Sequence, residues 1–173
     1  AQQIARNIYC MAGLRVPVIA VISEGGSGGA EAIGLADKRL MLSHGYYSVI
    51  SPEGAAAIEG HLKAGERATP DLIEHCAEHL HITAQDNLRF GYIDRIIQDP
   101  PLGARPQHFG FFRQLRQEVI RATDEVVIQS RGLPGFRKLA LSRLRRPDIN
   151  LDETYLRWGL SSSNKDRLVE RRQ

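Results

Sequence analysis

The chain has 173 residues, of which 42% are hydrophobic and 25% charged, a composition typical of a soluble globular domain. No apolar run approaches the roughly 18 residues that a membrane span requires, and no charged-then-apolar leader opens the sequence. The two cysteines, Cys10 and Cys76, do not form a CxxC motif, which argues against a disulfide scaffold or a structural zinc site. We therefore expect a cytoplasmic protein without a membrane partner.

The charge is divided unevenly along the chain. Residues 1–104 contain 8 basic and 12 acidic residues, whereas residues 105–173 contain 15 basic and 8 acidic ones. The change falls in residues 98–107, where three prolines and a glycine interrupt regular structure. This predicts one domain over 1–104, followed by a basic helical extension and tail over 105–173.

The first part alternates between predicted helices and strands. Residues 16–22, VPVIAVI, form a continuous β-branched run that is typical of a strand buried on both faces. Ser51 followed by Pro52 predicts a helix start, and Thr83 predicts another. We expect further strands at 38–44, 46–50 and 92–98 and further helices at 2–13, 30–36, 70–80 and 84–90.

The second part reads as helical. Apolar positions predict one long helix over about 107–130, and a short basic helix over 136–146. Strands that alternate with helices indicate the α/β class, here with a C-terminal helical extension. We expect the basic helix to face solvent or acidic groups of a partner rather than nucleic acid.

The strongest local signal is the sequence EGGSGG at residues 24–29, between a predicted strand and a predicted helix. Its glycines, Gly25, Gly26, Gly28 and Gly29, remove side chains where the backbone turns sharply and approaches another group closely. Free backbone amides at the start of the following helix suit an anion such as a phosphate, a carboxylate or an enolate oxygen.

Three interpretations of this turn remain open from the residues alone. Phosphate binding lacks support because no Gly-Lys-Ser/Thr follows and Glu31 leaves GxGxxG incomplete. Ser27 lies in a G-x-S-x-G pattern, which would make it a hydrolase nucleophile. The third interpretation is an oxyanion hole of backbone amides. A hydrolase would need one of the six histidines, which are His44, His61, His75, His79, His81 and His108.

Several motifs in order decide between these interpretations by resemblance. The pieces are IARN, VPVIAV, EGGSGGAEAIG, YSVISPEG, ITAQDNL, GYIDRII and PLGA. Over about residues 4–104 the sequence resembles the carboxyltransferase α subunit of bacterial acetyl-CoA carboxylase. The family's earlier half, with its Asp-Thr-Pro-Gly-Ala-Tyr-Pro-Gly loop, has no counterpart here. The chain thus resembles the C-terminal portion of that subunit, and we expect the isolated chain to be inactive.

The resemblance implies a crotonase-like (ClpP/crotonase) fold, a superhelix of ββα turns of which this chain holds a part. It implies carboxyl transfer from carboxybiotin, on a biotin carrier protein, to acetyl-CoA, giving malonyl-CoA for fatty acid biosynthesis. Biotin is then the cofactor, and a carboxyltransferase β subunit or region, biotin carboxylase and a second copy of the chain are the expected partners. A fused α/β polypeptide and a biotin-dependent acyl-CoA decarboxylase are alternatives.

The resemblance also implies roles for individual residues. The expected catalytic positions are Gly25, Gly26, Gly28 and Gly29, and the amides of Gly28 and Gly29 are expected to stabilise the biotin enolate. Ser27, Glu24, Tyr47 and Ser48 are expected to line the substrate, and Glu24 to accept bonds from the amides of the turn.

A metal site is not expected. His75 and His79 share a helix face beside Cys76, and His81 follows, but no HExxH motif surrounds them. The apolar residues Tyr155, Leu156, Trp158 and Leu160 have little local core and are expected to dock on another chain.

Overall fold

The structure is a computed structural model that describes residues 2–131 and 162–172. Helices and strands alternate through the first hundred residues, which confirms the α/β class. The predicted helix over 136–146 and the aromatic residues at 155–158 lie outside the described residues. The described elements are α1 (Gln2–Ala12), β1 (Ile19–Gly25), α2 (Gly28–Gly34), β2 (Lys38–Tyr47), α3 (Pro52–Glu59), α4 (Pro70–Leu80), α5 (Ala84–Arg89), β3 (Arg95–Ile97), α6 (Phe109–Arg131) and α7 (Ser162–Glu170).

The three described strands form one parallel sheet in the order β1-β2-β3. Parallel neighbours require crossover connections. Helix α2 supplies the first crossover and helices α3, α4 and α5 supply the second. The carboxyl ends of the strands therefore lie on one edge of the sheet, where β1 runs into the glycine-rich turn.

The core consists of two apolar clusters, one on each face of the sheet, because successive side chains of β2 point to opposite faces. Met41 packs with Ile22, Ala84 and Ile93. Its neighbour Leu40 packs with Ile97 and with two residues of α6, Phe111 and Ala122. Helix α6 thus covers one face of the sheet, and the division at residue 104 stays a prediction.

Strand β2 continues through Gly45 to Tyr47, so that the prediction of two strands over 38–44 and 46–50 is wrong. The pairing with β1 shifts between Ile22 and Glu24, where a bulge absorbs the extra residues of β2. A Cβ on Gly45 would lie 2.5 Å from the carbonyl oxygen of Ser23. Glycine at this position therefore lets the two backbones approach without ending the strand.

Strand β1 lies later in the chain than the predicted range of 16–22. Pro17 has no amide to donate to a ladder, and the amide of Val18 donates to the carboxylate of Asp37 at 2.8 Å. Regular pairing thus begins only at Ile19. Val21 is 42% exposed, so the expected burial on both faces is wrong for the described chain.

The helix-start predictions are confirmed. The Ser51 hydroxyl accepts a hydrogen bond from the Gly54 amide at 3.1 Å, and the Thr83 hydroxyl accepts one from the Asp86 amide at 3.2 Å. The long helix α6 covers nearly the predicted range. Within the described residues, no helix combines the length and apolarity needed to cross a membrane.

Candidate functional site: the glycine turn

The turn between β1 and α2 is only two residues long, because three of the four glycines belong to the strand or the helix. Gly25 is the last residue of β1 and Gly28 is the first of α2, which leaves only Gly26 and Ser27 between them. A Cβ on Gly25 would lie 2.8 Å from Cδ2 of Tyr47, closer than side chains tolerate. Gly25 is therefore required by packing between the strand and its neighbours.

Gly28 and Gly29 differ in what surrounds them. A Cβ on Gly28 would lie 3.2 Å from Cδ1 of Ile4 in α1, which already covers this position. A Cβ on Gly29 would have nothing within 4 Å, and Gly29 is exposed. Packing within the described chain thus does not explain a glycine at position 29, whereas the close approach of a ligand would.

The amides of Gly28 and Gly29 are both available. Neither donates a hydrogen bond to any residue that the structure describes, whereas the next amide, that of Ala30, donates to the Ser27 carbonyl at 2.9 Å. The turn therefore presents two consecutive main-chain donors, with Ile4 beside the first and open space at the Cβ position of the second. Such a pair can stabilise negative charge on a ligand oxygen.

Ser27 has a strained backbone. Its φ of 56° and ψ of −145° lie where side chains other than glycine are rarely found, at a cost of about 1–3 kcal/mol. Hydrolase nucleophiles occupy a similarly strained turn. All six histidines lie in the described ranges, and no hydrogen bond joins Ser27 to any of them. The structure thus does not assemble a Ser-His pair at Ser27.

Tyr47 supports the turn from the neighbouring strand. Its hydroxyl donates to the Ala30 carbonyl at 2.6 Å, and its ring packs against Gly25. Burial raises the pKa of Tyr47, and the positive charge of Arg39 opposes part of that rise. The side chain therefore ties the end of β2 to the first turn of α2, and its contact with substrate stays a prediction.

Ser48 directly follows β2, and Glu24 is the second-last residue of the neighbouring strand β1. The Ser48 amide donates to the Gly25 carbonyl at 2.9 Å, and its hydroxyl accepts from the Ile50 amide at 3.4 Å. Glu24 is exposed, and its carboxylate accepts no hydrogen bond from the described residues. The expected hydrogen bonds from the amides of the turn to the Glu24 carboxylate are therefore not made, and substrate contacts of Ser48 and Glu24 stay predictions.

Asn87 is a supporting residue that the sequence reasoning did not single out. Its side chain is buried, and its amide nitrogen lies within hydrogen-bond distance of the carbonyl oxygens of Tyr47 (3.2 Å), Ile82 (3.2 Å) and Thr83 (2.9 Å). It thus fixes the end of β2 to the start of α5. A signal was present in the sequence, since Asn87 stands three positions after the apolar Ala84 and therefore on the same face of the short helix, which is the buried face.

The two histidines of α4 contact each other, and the cysteine between them contacts a carboxylate of α3. The rings of His75 and His79 lie 4.1 Å apart, and the thiol of Cys76 donates to the carboxylate of Glu59 at 3.2 Å. Burial, together with that carboxylate, raises the pKa of Cys76. Within the described ranges, no group of three or more His, Cys, Asp or Glu side chains is arranged to hold a metal ion.

A largely apolar groove of about 600 Å³ runs between α1 and α2 beside the glycine turn. Glu31, which stands in the first turns of α2, is exposed at its edge. The groove is lined by Ile4, Ala5, Ile8, Tyr9, Ala12, Glu31, Leu35 and Arg172.

These features define an α/β protein whose candidate site presents two neighbouring main-chain donors, the amides of Gly28 and Gly29. The family model described as acetyl co-enzyme A carboxylase carboxyltransferase-like matches residues 1–133. The chain belongs to this family, which confirms the resemblance drawn from the motifs.

Three relatives show how far the likeness extends. Each is an acetyl-coenzyme A carboxylase carboxyl transferase subunit alpha. The one from Clostridium perfringens strain SM101 is 44% identical over 126 residues, covering 72% of this chain and 44% of the relative. The one from Azorhizobium caulinodans is 43% identical over 150 residues (84% and 42%), and the one from Shouchella clausii is 44% identical over 158 residues (90% and 41%). The chain thus spans about two fifths of the length of these relatives.

Among solved structures, one similar chain is a Mycobacterium abscessus protein assigned to the enoyl-CoA hydratase/isomerase class. It is 18% identical, with a TM-score of 0.37, and the match covers 86% of this chain and 64% of that one. This likeness is too low to argue from. The α/β class rests on the described elements, and the crotonase-like fold stays an expectation that the resemblance implies.

Proposed function

We propose that this chain is the biotin-facing part of a carboxyltransferase that carries out carboxyl transfer from carboxybiotin to acetyl-CoA. Family membership supports the reaction class. The observation that carries the assignment of the site is the pair of amides at Gly28 and Gly29, which have no hydrogen-bond acceptor among the described residues, with open space where a Cβ on Gly29 would stand.

The chemistry requires a site that stabilises an oxygen anion. Carboxybiotin supplies an activated carboxyl group, and its ureido oxygen gains negative charge as that carboxyl group leaves. The Gly28 and Gly29 amides are proposed to donate to this oxygen, since fixed donors act most strongly where charge develops. No side chain of this chain is needed as a general base in this proposal, because the departing biotin anion can take the proton from the acetyl methyl group.

Two features support this function over a serine hydrolase that uses Ser27. The hydroxyl of Ser27 has no histidine partner among the described residues, and the matching family model and the three relatives compared above are those of carboxyltransferases. We propose a β subunit or region for the acetyl-CoA side of the site, with a biotin carrier protein, biotin carboxylase and a second copy of the chain as further partners. A biotin-dependent acyl-CoA decarboxylase would use the same donors in reverse.

The test is malonyl-CoA decarboxylation coupled to the carboxylation of biocytin, in the complete carboxyltransferase that contains this chain. We expect the Gly29→Val variant to be folded and to lose at least a hundredfold in rate, the typical effect of losing one such donor. Gly110→Val is the matched control and should keep its activity, since Gly110 is exposed in the first turn of α6 with nothing within 4 Å of an added Cβ. An active Gly29→Val variant, or loss of activity and of fluorophosphonate labelling in Ser27→Gly, would overturn the proposal and favour the hydrolase.

A further inference from the structure

A buried ion pair joins the 162–172 segment to the first part of the chain. The side chains of Arg172 and Asp37 are only 3% and 2% exposed. The Arg172 Nε donates to Asp37 Oδ1 at 3.0 Å, and Nη2 donates to Asp37 Oδ2. This two-point arrangement needs the planar guanidinium, which lysine does not provide.

The same guanidinium also binds the linker between α1 and β1. Its Nη1 donates to the carbonyl of Leu14 and its Nη2 donates to the carbonyl of Val16 at 2.6 Å. Asp37 acts on the linker from the other side, since its Oδ2 accepts from the Val18 amide at 2.8 Å. Arg172 and Asp37 together therefore bind the backbone of every second linker residue from 14 to 18: the carbonyls of Leu14 and Val16 and the amide of Val18.

The segment that carries Arg172 is itself fixed. Leu168 of α7 is fully buried, and the guanidinium of Arg167 donates to the carbonyl of Ser130 in α6 at 3.2 Å. Arg15, in the linker, donates to the carboxylate of Asp166 and to the carbonyl of Ser162. Helix α7 is therefore bound both to α6 and to the linker, and Arg172, which follows α7, adds its own bonds to the linker.

Helix α1 depends on this linker for its position. It has no buried residue, and its apolar side faces the groove beside α2. Ile4 of α1 nevertheless covers Gly28, since its Cδ1 lies 3.2 Å from the place that a Cβ on Gly28 would take. A helix with few contacts of its own therefore forms one wall of the glycine turn.

We propose that Arg172 is a positioning residue for the glycine turn. By holding the carbonyls of Leu14 and Val16 it keeps α1 in place, and Ile4 then holds Gly28 with its amide toward the ligand. The structural part of this inference stands without an assigned activity, whereas its catalytic consequence rests on the proposed carboxyl transfer.

The test compares four proteins: the parent, Arg172→Ala, the double variant Arg172→Ala/Asp37→Asn, and Arg171→Ala as a control at the exposed neighbouring position. The double variant removes the buried unpaired carboxylate that Arg172→Ala leaves behind. It therefore separates loss of the linker bonds from loss of fold stability. The first measurement is hydrogen exchange of the α1 amides and of the Ala30 amide, which donates to the Ser27 carbonyl at 2.9 Å, with the β2 amides of Leu40 and Met41 as an internal reference.

We expect exchange in α1 and at Ala30 to accelerate more than tenfold in Arg172→Ala and in the double variant, with β2 unchanged in the double variant and both regions unchanged in Arg171→Ala. In the complete carboxyltransferase, kcat for biocytin carboxylation should fall at least fivefold with KM for malonyl-CoA unchanged. Unchanged α1 exchange in a folded double variant, or equal acceleration in β2, would overturn the inference. Faster α1 exchange in an enzyme without carboxyltransferase activity would retain the positioning role and refute the proposed function.

Discussion

Replacement of Gly29 by alanine separates the functional and structural reasons for a glycine in the turn. The position is exposed and lies in the first turn of α2, and an added Cβ would have no atom within 4 Å. The structure therefore predicts that the substitution leaves the fold intact. If the Gly29 amide binds an oxyanion, however, the new methyl group occupies the space through which the ligand reaches it.

The two effects have opposite signs. Alanine restricts the unfolded chain and favours helix, so we expect the free energy of unfolding to stay unchanged or to rise by up to about 1 kcal/mol. Obstruction of one donor in an oxyanion hole costs about 10²–10³ in rate. The same methyl group is thus expected to stabilise the protein slightly and to remove most of its activity.

The assay pairs urea unfolding with biocytin-dependent malonyl-CoA decarboxylation in the complete enzyme. Gly110→Ala is the matched control, since Gly110 also lies in the first turn of a helix with nothing within 4 Å of an added Cβ. It should match Gly29→Ala in stability and the parent in activity. Gly25→Ala should instead lose about 1–3 kcal/mol, because its Cβ would lie 2.8 Å from Tyr47. Full activity in Gly29→Ala, or a loss of stability beyond 1 kcal/mol, would refute the reasoning.

Three further predictions concern the same described residues. Ser27→Gly should raise the free energy of unfolding by about 1 kcal/mol, because glycine relieves the strained backbone; a loss of stability in urea unfolding would show that the strain is absent. Burial favours a raised pKa for Asp94, but hydrogen bonds from the Arg39 amide and Lys38 outweigh it and lower that pKa. The ionised carboxylate therefore stabilises the fold above about pH 4, and this contribution is lost as pH falls through the lower folded value. Asp94→Asn should cost about 1–3 kcal/mol at pH 7 and less at pH 3, and an equal cost at both pH values in urea unfolding would contradict this. Iodoacetamide should label the exposed Cys10 in the native protein but the buried Cys76 only after unfolding, and peptide mass spectrometry that finds rapid native labelling of Cys76 would refute its burial.

Local chemistry explains which elements were predictable. Ser51, Pro52 and Thr83 act within their own helix turns, so their effect can be read from a few residues. The long helix α6 follows from repeated apolar spacing, and two of its inward residues, Phe111 and Ala122, do lie in the core. The family motifs located the glycine turn for the same reason, since it is one continuous segment.

The errors arose where a distant residue decides the outcome. The β-branched run at 16–22 has the composition of a strand, but Asp37 and Arg172 take the hydrogen-bonding groups of its first residues. Gly45 reads as a break between strands, yet its close contact with Ser23 makes it part of a bulge. In both cases the deciding atoms are 19 or more residues away in the chain, beyond the reach of periodicity or propensity.

Neighbouring glycines in the glycine turn are required for different physical reasons. Tyr47 excludes a side chain at Gly25, and Ile4 restricts one at Gly28, so both are explained by the fold. These contacts, with the bond from the Tyr47 hydroxyl to the Ala30 carbonyl, hold the turn from two sides. Among the described residues, none lies within 4 Å of the place that a Cβ on Gly29 would take, and none accepts a hydrogen bond from its amide. The turn is thus supported at Gly25, Gly28 and Ala30 and open at Gly29. A preorganised anion site requires this arrangement, because donors fixed in advance need not reorganise when charge develops.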